Sequence, residues 1–174
     1  MNSFILIAGP SGTGKTTLLQ KLKADYGLRE TLSHTTRERR PTDTDECYKF
    51  VSREEFQQIP MVEYTEYNGN LYGTAISDID NSDILVADLH GCMMIQSYMK
   101  SINRPCLTIG LNASAVVRAY RMRNRGDKEG DVQSRIDHDA SAFAQLRKVA
   151  DVVFPDFSME QSYTAVCNVI NNWR

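Results

Sequence analysis

Gly9-Pro10-Ser11-Gly12-Thr13-Gly14-Lys15-Thr16 has the residue types and the spacing to hold an anion. The pattern is G-x-x-x-x-G-K-[ST], a phosphate-binding loop. Its glycines let the backbone curl so that successive N–H groups point inward. A helix starting beside Lys15 adds the positive end of its dipole. Lys15 is placed to reach β- and γ-phosphates, and the Thr16 hydroxyl to hold a magnesium ion. Thr17 completes the set expected to contact a nucleotide.

A second oxygen donor is Asp88. It follows the apolar run Ile84-Leu85-Val86-Ala87, which reads as a buried strand, so the carboxylate stands at that strand's C-terminal end. Ligands of open α/β sheets bind beyond these ends. A hard carboxylate close to the Thr16 hydroxyl suits magnesium. The plainer reading of Asp88 is a helix N-cap. Two basic clusters accompany these residues. Arg37, Arg39 and Arg40 fall within four positions, and Arg118, Arg121, Arg123, Arg125, Lys128 and Arg135 within eighteen. Such clusters often make solvated faces; beside a phosphate loop, phosphate binding is the better reading.

The elements that position these groups alternate. Phe4–Ala8 reads as a buried strand, and the stretch from Thr16 as a helix stopped at Tyr26-Gly27. Residues 29–32 are expected to form a short strand, and 37–46 a polar loop containing Pro41. Tyr48–Val51 alternates like a strand. Ser52 to Glu55 forms a capping box opening a helix to about Gln58. Residues 61–67 and 71–73 flank Asn68-Gly69, a hairpin signal. The βα pattern then resumes with strand 84–87, helix 91–100, strand 105–109, helix 114–125, a loop to Gly130, a long helix 131–149 and strand 151–154. A second capping box at Ser158 opens a last helix to about Asn172. Strands alternating with helices mean a parallel sheet covered on both faces. The fold class is α/β: a three-layer P-loop NTPase fold with a parallel sheet and a small mixed α/β insert.

Composition agrees. The 174 residues are 41% hydrophobic and 24% charged, ordinary for one globular domain. No apolar run approaches the roughly 20 residues that span a bilayer, and the N-terminus lacks a secretion-signal layout. A cytoplasmic location is the default, with no membrane partner. The net charge of −2 argues against a nucleic-acid surface. Cys47, Cys92, Cys106 and Cys167 are scattered and read as free thiols; neither they nor His34, His90 and His138 show metal-ligand spacing.

The P-loop alone does not name a reaction. Three further motifs narrow it: Ser33-His34-Thr35-Thr36-Arg37-Glu38-Arg39-Arg40-Pro41, then Tyr48 to Phe56, then Glu63 with Asn68-Gly69-Asn70-Leu71-Tyr72-Gly73-Thr74. They closely resemble the nucleoside-monophosphate-binding region of guanylate kinases, and the resemblance runs over nearly the whole chain. It implies a core of 1–32, 75–120 and 137–174, a GMP-binding insert of 33–74 and a lid of 121–136. It implies that Arg37, Arg40, Tyr48 and Tyr72 hold the phosphate of GMP or dGMP. Ser33, Glu63 and Thr74 would read the base, and Asp88 would serve substrate and metal. Arg121, Arg125 and Arg135 would close over ATP and the transferred group, with Lys15, Arg37, Arg125 and Arg135 catalytic. The cofactors implied are ATP and Mg2+; the assembly is a monomer or homodimer. Alternatives are a kinase of another monophosphate or sugar phosphate, or a non-catalytic guanylate-kinase-like binding module. Intact Lys15 and Thr16 argue against the latter. The chain departs from the family where an Asp-x-Asp is usual, having Val86-Ala87-Asp88, and where an Asn-Asp is usual, having Pro155-Asp156. The loop between Arg40 and Tyr48 and the lid each look one residue short.

Overall fold

β1 (Phe4–Ala8) is buried along its whole length and is the strand on which the core sheet is built. It pairs in parallel with β6 (Ile84–Val86) on one side and β7 (Cys106–Leu111) on the other; β7 pairs in parallel with β8 (Val152–Phe154). The order is β6-β1-β7-β8. This computed structural model describes residues 3–40, 43–44, 47–67, 69–155 and 158–173. Pro41, Asn68 and Asp156, singled out in the sequence, lie outside the described residues.

Successive side chains of a strand point to opposite faces, and β1 shows the consequence. Ile5 and Ile7 pack with Leu18, Leu19 and Leu22 of α1 (Lys15–Tyr26) and with Val166 and Ile170 of α8 (Met159–Trp173). Phe4, Leu6 and Ala8 pack on the other face, against Leu89, Cys92, Ile95 and Met99 of α4 (Leu89–Ser101). Ile79 of α3 (Ile76–Asp80) and Leu146 of α7 (Leu146–Val149) complete that layer. The result is the expected three-layer α/β fold. α5 (Ala115–Asn124) and α6 (Glu129–Ala142) pack on each other beside it.

The insert is a second, mixed sheet. β2 (His34–Thr35) pairs in parallel with β3 (Lys49–Phe50) and antiparallel with β5 (Asn70–Ala75), which pairs with β4 (Met61–Tyr67). Between β3 and β4 lies α2 (Arg53–Gln58), opened by the predicted capping box: Glu55 N–H donates to Ser52 Oγ at 3.1 Å and Ser52 N–H to Glu55 Oε2 at 2.7 Å. A register shift between Met61 and Glu63 brings Glu63 opposite Thr74.

Three expectations are corrected. Residues 29–32 make only a bridge, Glu30 to Ile84, beside an Arg29–Asp83 ion pair of 2.9 Å. The helix expected over 131–149 is two helices, α6 and α7, with a turn at 143–145 that lets Leu146 reach the core. The helix expected from residue 91 starts at Leu89, because Asp88 caps it. All four cysteines are free thiols. Among the described residues no helix is long and apolar enough to cross a membrane.

Candidate active site

The phosphate loop joins β1 to α1 and is wedged between β7 and α5. Gly9 and Gly12 have φ of 151° and 79°. A Cβ on Gly9 would meet Leu111 O at 2.2 Å, and one on Gly12 would meet Arg118 O at 2.7 Å. Neither position admits a side chain. Thr13 Oγ1 donates to Pro10 O at 2.8 Å, tightening the turn. Gly14, the N-cap of α1, brings no capping side chain to the first-turn amides, which suits an anion.

Lys15 Nζ donates to the same Pro10 carbonyl at 2.9 Å. Burial lowers its pKa from 10.5 to about 8; Asp139 opposes the shift, while Arg125, Arg118 and Arg135 add to it. An arriving polyphosphate would supply the counter-charge this lysine lacks. Thr16 and Thr17 are exposed on the first turn of α1. Asp88 stands one strand over: Ala87 N–H donates to Ile7 O at 3.1 Å, setting the ends of β6 and β1 side by side. One Asp88 oxygen, Oδ1, accepts from Gly91 N–H at 2.7 Å, and the residue is exposed. Both readings of Asp88 therefore fit, since capping occupies a single oxygen.

A cleft of about 580 Å³ opens between insert, core and α6. The insert supplies Ser33, Arg37, Arg40, Asp43, Tyr48, Glu63, Thr65, Tyr72, Gly73 and Thr74; the core supplies Val86, Ala87, Asp88 and Gly91; α6 supplies Arg135 and His138. All eight residues expected to bind the acceptor are among them.

One part of the lining is cationic and phenolic. Arg37 Nη1 donates to Asp43 Oδ2 at 2.9 Å and to Glu38 O at 2.9 Å, and its guanidinium lies 5.7 Å from the Tyr48 ring centroid. Tyr48 and Tyr72 meet edge to face at 5.9 Å. Burial pushes the Tyr48 phenol above its ordinary pKa, so it remains a donor at neutral pH. Asp43 also accepts from Arg40 N–H at 2.7 Å. Its carboxylate, held below its ordinary pKa chiefly by Arg37, fixes the guanidinium in place.

Another part is a polar chain. Thr74 Oγ1 donates to Glu63 Oε1 at 2.6 Å, and Ser33 Oγ lies 3.5 Å from Thr74 Oγ1. Burial raises the Glu63 pKa; the Thr74 bond and His90 oppose this, and Asp88 adds to it. Carboxylate and hydroxyls side by side offer both acceptors and donors to a ligand edge.

The family model for guanylate kinase matches residues 1–172. The chain belongs to the guanylate kinase family. It is 30% identical over 177 residues to the guanylate kinase of Homo sapiens, covering 91% of this chain and 87% of that one. A match to the guanylate kinase of Schizosaccharomyces pombe is 39% identical over 106 residues, covering 53% of this chain and 52% of that one. The crystal structure of guanylate kinase from Anaplasma phagocytophilum superposes with a TM-score of 0.68 at 21% identity, covering 98% of this chain and 85% of that one. It shares the fold.

Within this guanylate kinase fold the second basic cluster divides. Arg121 Nη1 donates to Gly12 O at 3.5 Å and Arg118 Nη1 to Ser11 O at 3.4 Å, so both reach the phosphate loop. Arg125 is held by Asp127 in two bonds, 2.8 Å and 2.6 Å, and Arg135 approaches the same carboxylate at 3.7 Å. Arg123 turns to Glu129, and Lys128 occupies the N-cap position of α6 without a side-chain capping bond. Asp43, Asp127 and Asp139 were not legible as site residues: a lone carboxylate in a polar segment has no pattern, and its arginine partner is revealed only by folding. His138 follows Arg135 on α6 at helical spacing, the one cue that it shares the cleft.

The donor set fits magnesium. Thr16 and Asp88 are two hard oxygen donors, few for calcium but suited to an ion that keeps waters and binds through phosphates. Among the described residues no group of three His, Cys, Asp or Glu is arranged for a metal.

Proposed function

We propose that the protein transfers the γ-phosphoryl group of ATP to GMP, and to dGMP, giving ADP and GDP or dGDP. The observation that carries the reading is the pairing of the Glu63–Thr74–Ser33 chain with the Arg37–Tyr48–Tyr72 cluster in one cleft. A purine edge and a phosphate dianion are addressed by opposite chemistries in the same cavity.

In this reading Lys15 and the loop amides, with Thr17, hold the β- and γ-phosphates. Thr16 and Asp88 hold a magnesium ion, which supplies charge neutralisation to the phosphates when bound. Arg37, Arg40, Tyr48 and Tyr72 fix the acceptor phosphate. Arg121, Arg125 and Arg135 form, with residues 121–136, a lid over the donor. Phosphoryl transfer has a loose transition state with charge spread over the phosphoryl oxygens. Cations and alignment therefore supply the catalysis, through Lys15, Arg37, Arg125 and Arg135, with no general base. Closure of lid and insert excludes water, which would otherwise take the phosphoryl group.

Specificity rests on Glu63. Ionised, it accepts from guanine N1–H and the 2-amino group; adenine would set a lone pair against it. Steady-state turnover with ATP–Mg and GMP, dGMP, AMP, UMP and CMP tests this. GMP and dGMP should be the only good substrates; AMP or a pyrimidine turned over as fast would refute it.

A further inference from the structure

Arg118 and Asp139 form an ion pair that the roles above leave unused. Nη1 and Oδ2 are 3.1 Å apart, and the residues are 5% and 6% exposed. Arg118 lies on α5 and Asp139 on α6, so the pair joins the two helices that flank residues 125–128. Each member also reaches the phosphate loop at one residue. Ser11 N–H donates to Asp139 Oδ2 at 2.6 Å, and Arg118 Nη1 donates to Ser11 O at 3.4 Å. Both peptide groups of Ser11 are thereby held by one buried pair. The neighbouring Gly12 is pressed against the Arg118 backbone, where no Cβ would fit. Such a pair is a poor source of stability: its desolvation cost is large, and apolar residues of similar volume often replace one without loss. Arg118 Nε, buried with no hydrogen-bond partner, adds to that cost. What the pair supplies is position. It fixes the loop peptides and registers α6, which carries Arg135, against them.

We propose that Asp139, acting with Arg118, is a positioning residue for the donor phosphates: the pair holds the Ser11 peptides in the binding conformation and ties α6 to the loop. This rests on the kinase reading above. Asp139 also adds negative charge near Lys15, opposing its loss of a proton.

The test is calorimetric binding of ATP–Mg and, separately, of GMP to the wild type, to Asp139→Asn and to the double variant Arg118→Leu/Asp139→Ala. A purely structural pair would move the melting temperature or both affinities together. Positioning predicts a folded double variant with ATP bound about tenfold more weakly, the scale of one charge-assisted hydrogen bond, and GMP binding unchanged. Wild-type ATP affinity in the folded double variant overturns the proposal. Should the double variant fail to fold, the isosteric Asp139→Asn decides by the same comparison: weakened ATP binding with GMP unchanged supports positioning, and unaltered ATP binding overturns it. A wild-type protein that bound no ATP would overturn the kinase reading and this one with it. Equal ATP binding by wild type and variants overturns this one alone.

Discussion

Thr74 and Glu63 face each other across the β4–β5 pair, with Thr74 Oγ1 donating to Glu63 Oε1 at 2.6 Å. A hydroxyl has one proton to give. Thr74 gives it to the carboxylate, which in the proposed reading would leave Ser33 as the donor for a guanine O6. The Glu63 carboxylate would then keep its other oxygen and a second lone pair for the guanine N1–H and amino group. Glu63→Gln sets an amide N–H against those donors. GMP should lose affinity by roughly 10- to 100-fold, the scale of a hydrogen bond to a charged group. IMP, without the amino group, should lose less. An unchanged GMP-to-IMP ratio would remove Glu63 from base reading.

The same carboxylate carries a stability cost. Burial raises its folded pKa above the ordinary 4.5. Between the two values the folded state binds more protons than the unfolded one. Glu63 thus favours the fold fully below about pH 4.5 and loses that contribution as pH rises through the folded pKa. At pH 7 it opposes folding. Glu63→Gln is therefore expected to melt higher than the wild type at pH 7 while binding GMP more weakly. A lower melting temperature would show that the ionised carboxylate is stabilised where it sits.

Lys15 obeys the opposite sign in the same linkage. Its folded pKa, about 8, lies below the ordinary 10.5, so the unfolded state binds more protons between them and stability rises with pH through that window. At pH 7 the buried charge costs stability, and Lys15→Met should melt higher than the wild type. Turnover should fall by about 10²–10³-fold, as for removal of one preorganised transition-state donor. In the wild type, kcat/KM for ATP reports the free enzyme and should decline above about pH 8. Bound phosphate restores the charge, so kcat should hold over the same range. A kcat/KM flat to pH 9.5 would show that Lys15 is fully charged before ATP arrives.

Arg125 is held bidentately by Asp127 at the end of α5. In the proposed role, a phosphoryl oxygen would have to draw the guanidinium from that carboxylate, an exchange repaid only when charge develops. Arg125→Ala should lower kcat by about 10²-fold with the KM for GMP within a fewfold of wild type. A rise in KM at unchanged kcat would place Arg125 in ground-state binding instead.

The parts of this molecule legible in its sequence are those with a local signature. β1 was readable because five apolar residues run straight into the phosphate loop, and the two capping boxes because their partners sit three residues apart. β2 was not, because His34 and Thr35 have no strand pattern of their own; their backbone is recruited by β3 and β5. The break after Ala142 was invisible because residues 143–145 contain no glycine or proline; Leu146 turns the chain by entering the core. The cationic half of the site was readable because its arginines cluster. The site's carboxylates divide: Glu63 and Asp88 were singled out by motif and strand end, whereas Asp43, Asp127 and Asp139 acquire meaning only beside Arg37, Arg125 and Arg118.

Asp88 offers the sharpest separation of a structural from a functional role. Its Oδ1 caps α4 through Gly91 N–H at 2.7 Å, while its place at the end of β6, beside the end of β1, is the ground for the proposed magnesium role. Asparagine caps a helix about as well as aspartate, whereas alanine forfeits about 1 kcal/mol. Asp88→Asn should therefore melt like the wild type, and Asp88→Ala several degrees lower. Magnesium feels charge and not capping. Both variants should need roughly tenfold more Mg2+ for half-maximal turnover, the scale of one lost charge-assisted contact. With capping alone at stake, Asp88→Asn would match the wild type in both measurements. A carboxylate that serves the ion makes the two substitutions agree in metal dependence and differ in stability. The metal titration and the melting curve, taken together on both variants, decide which role the position carries.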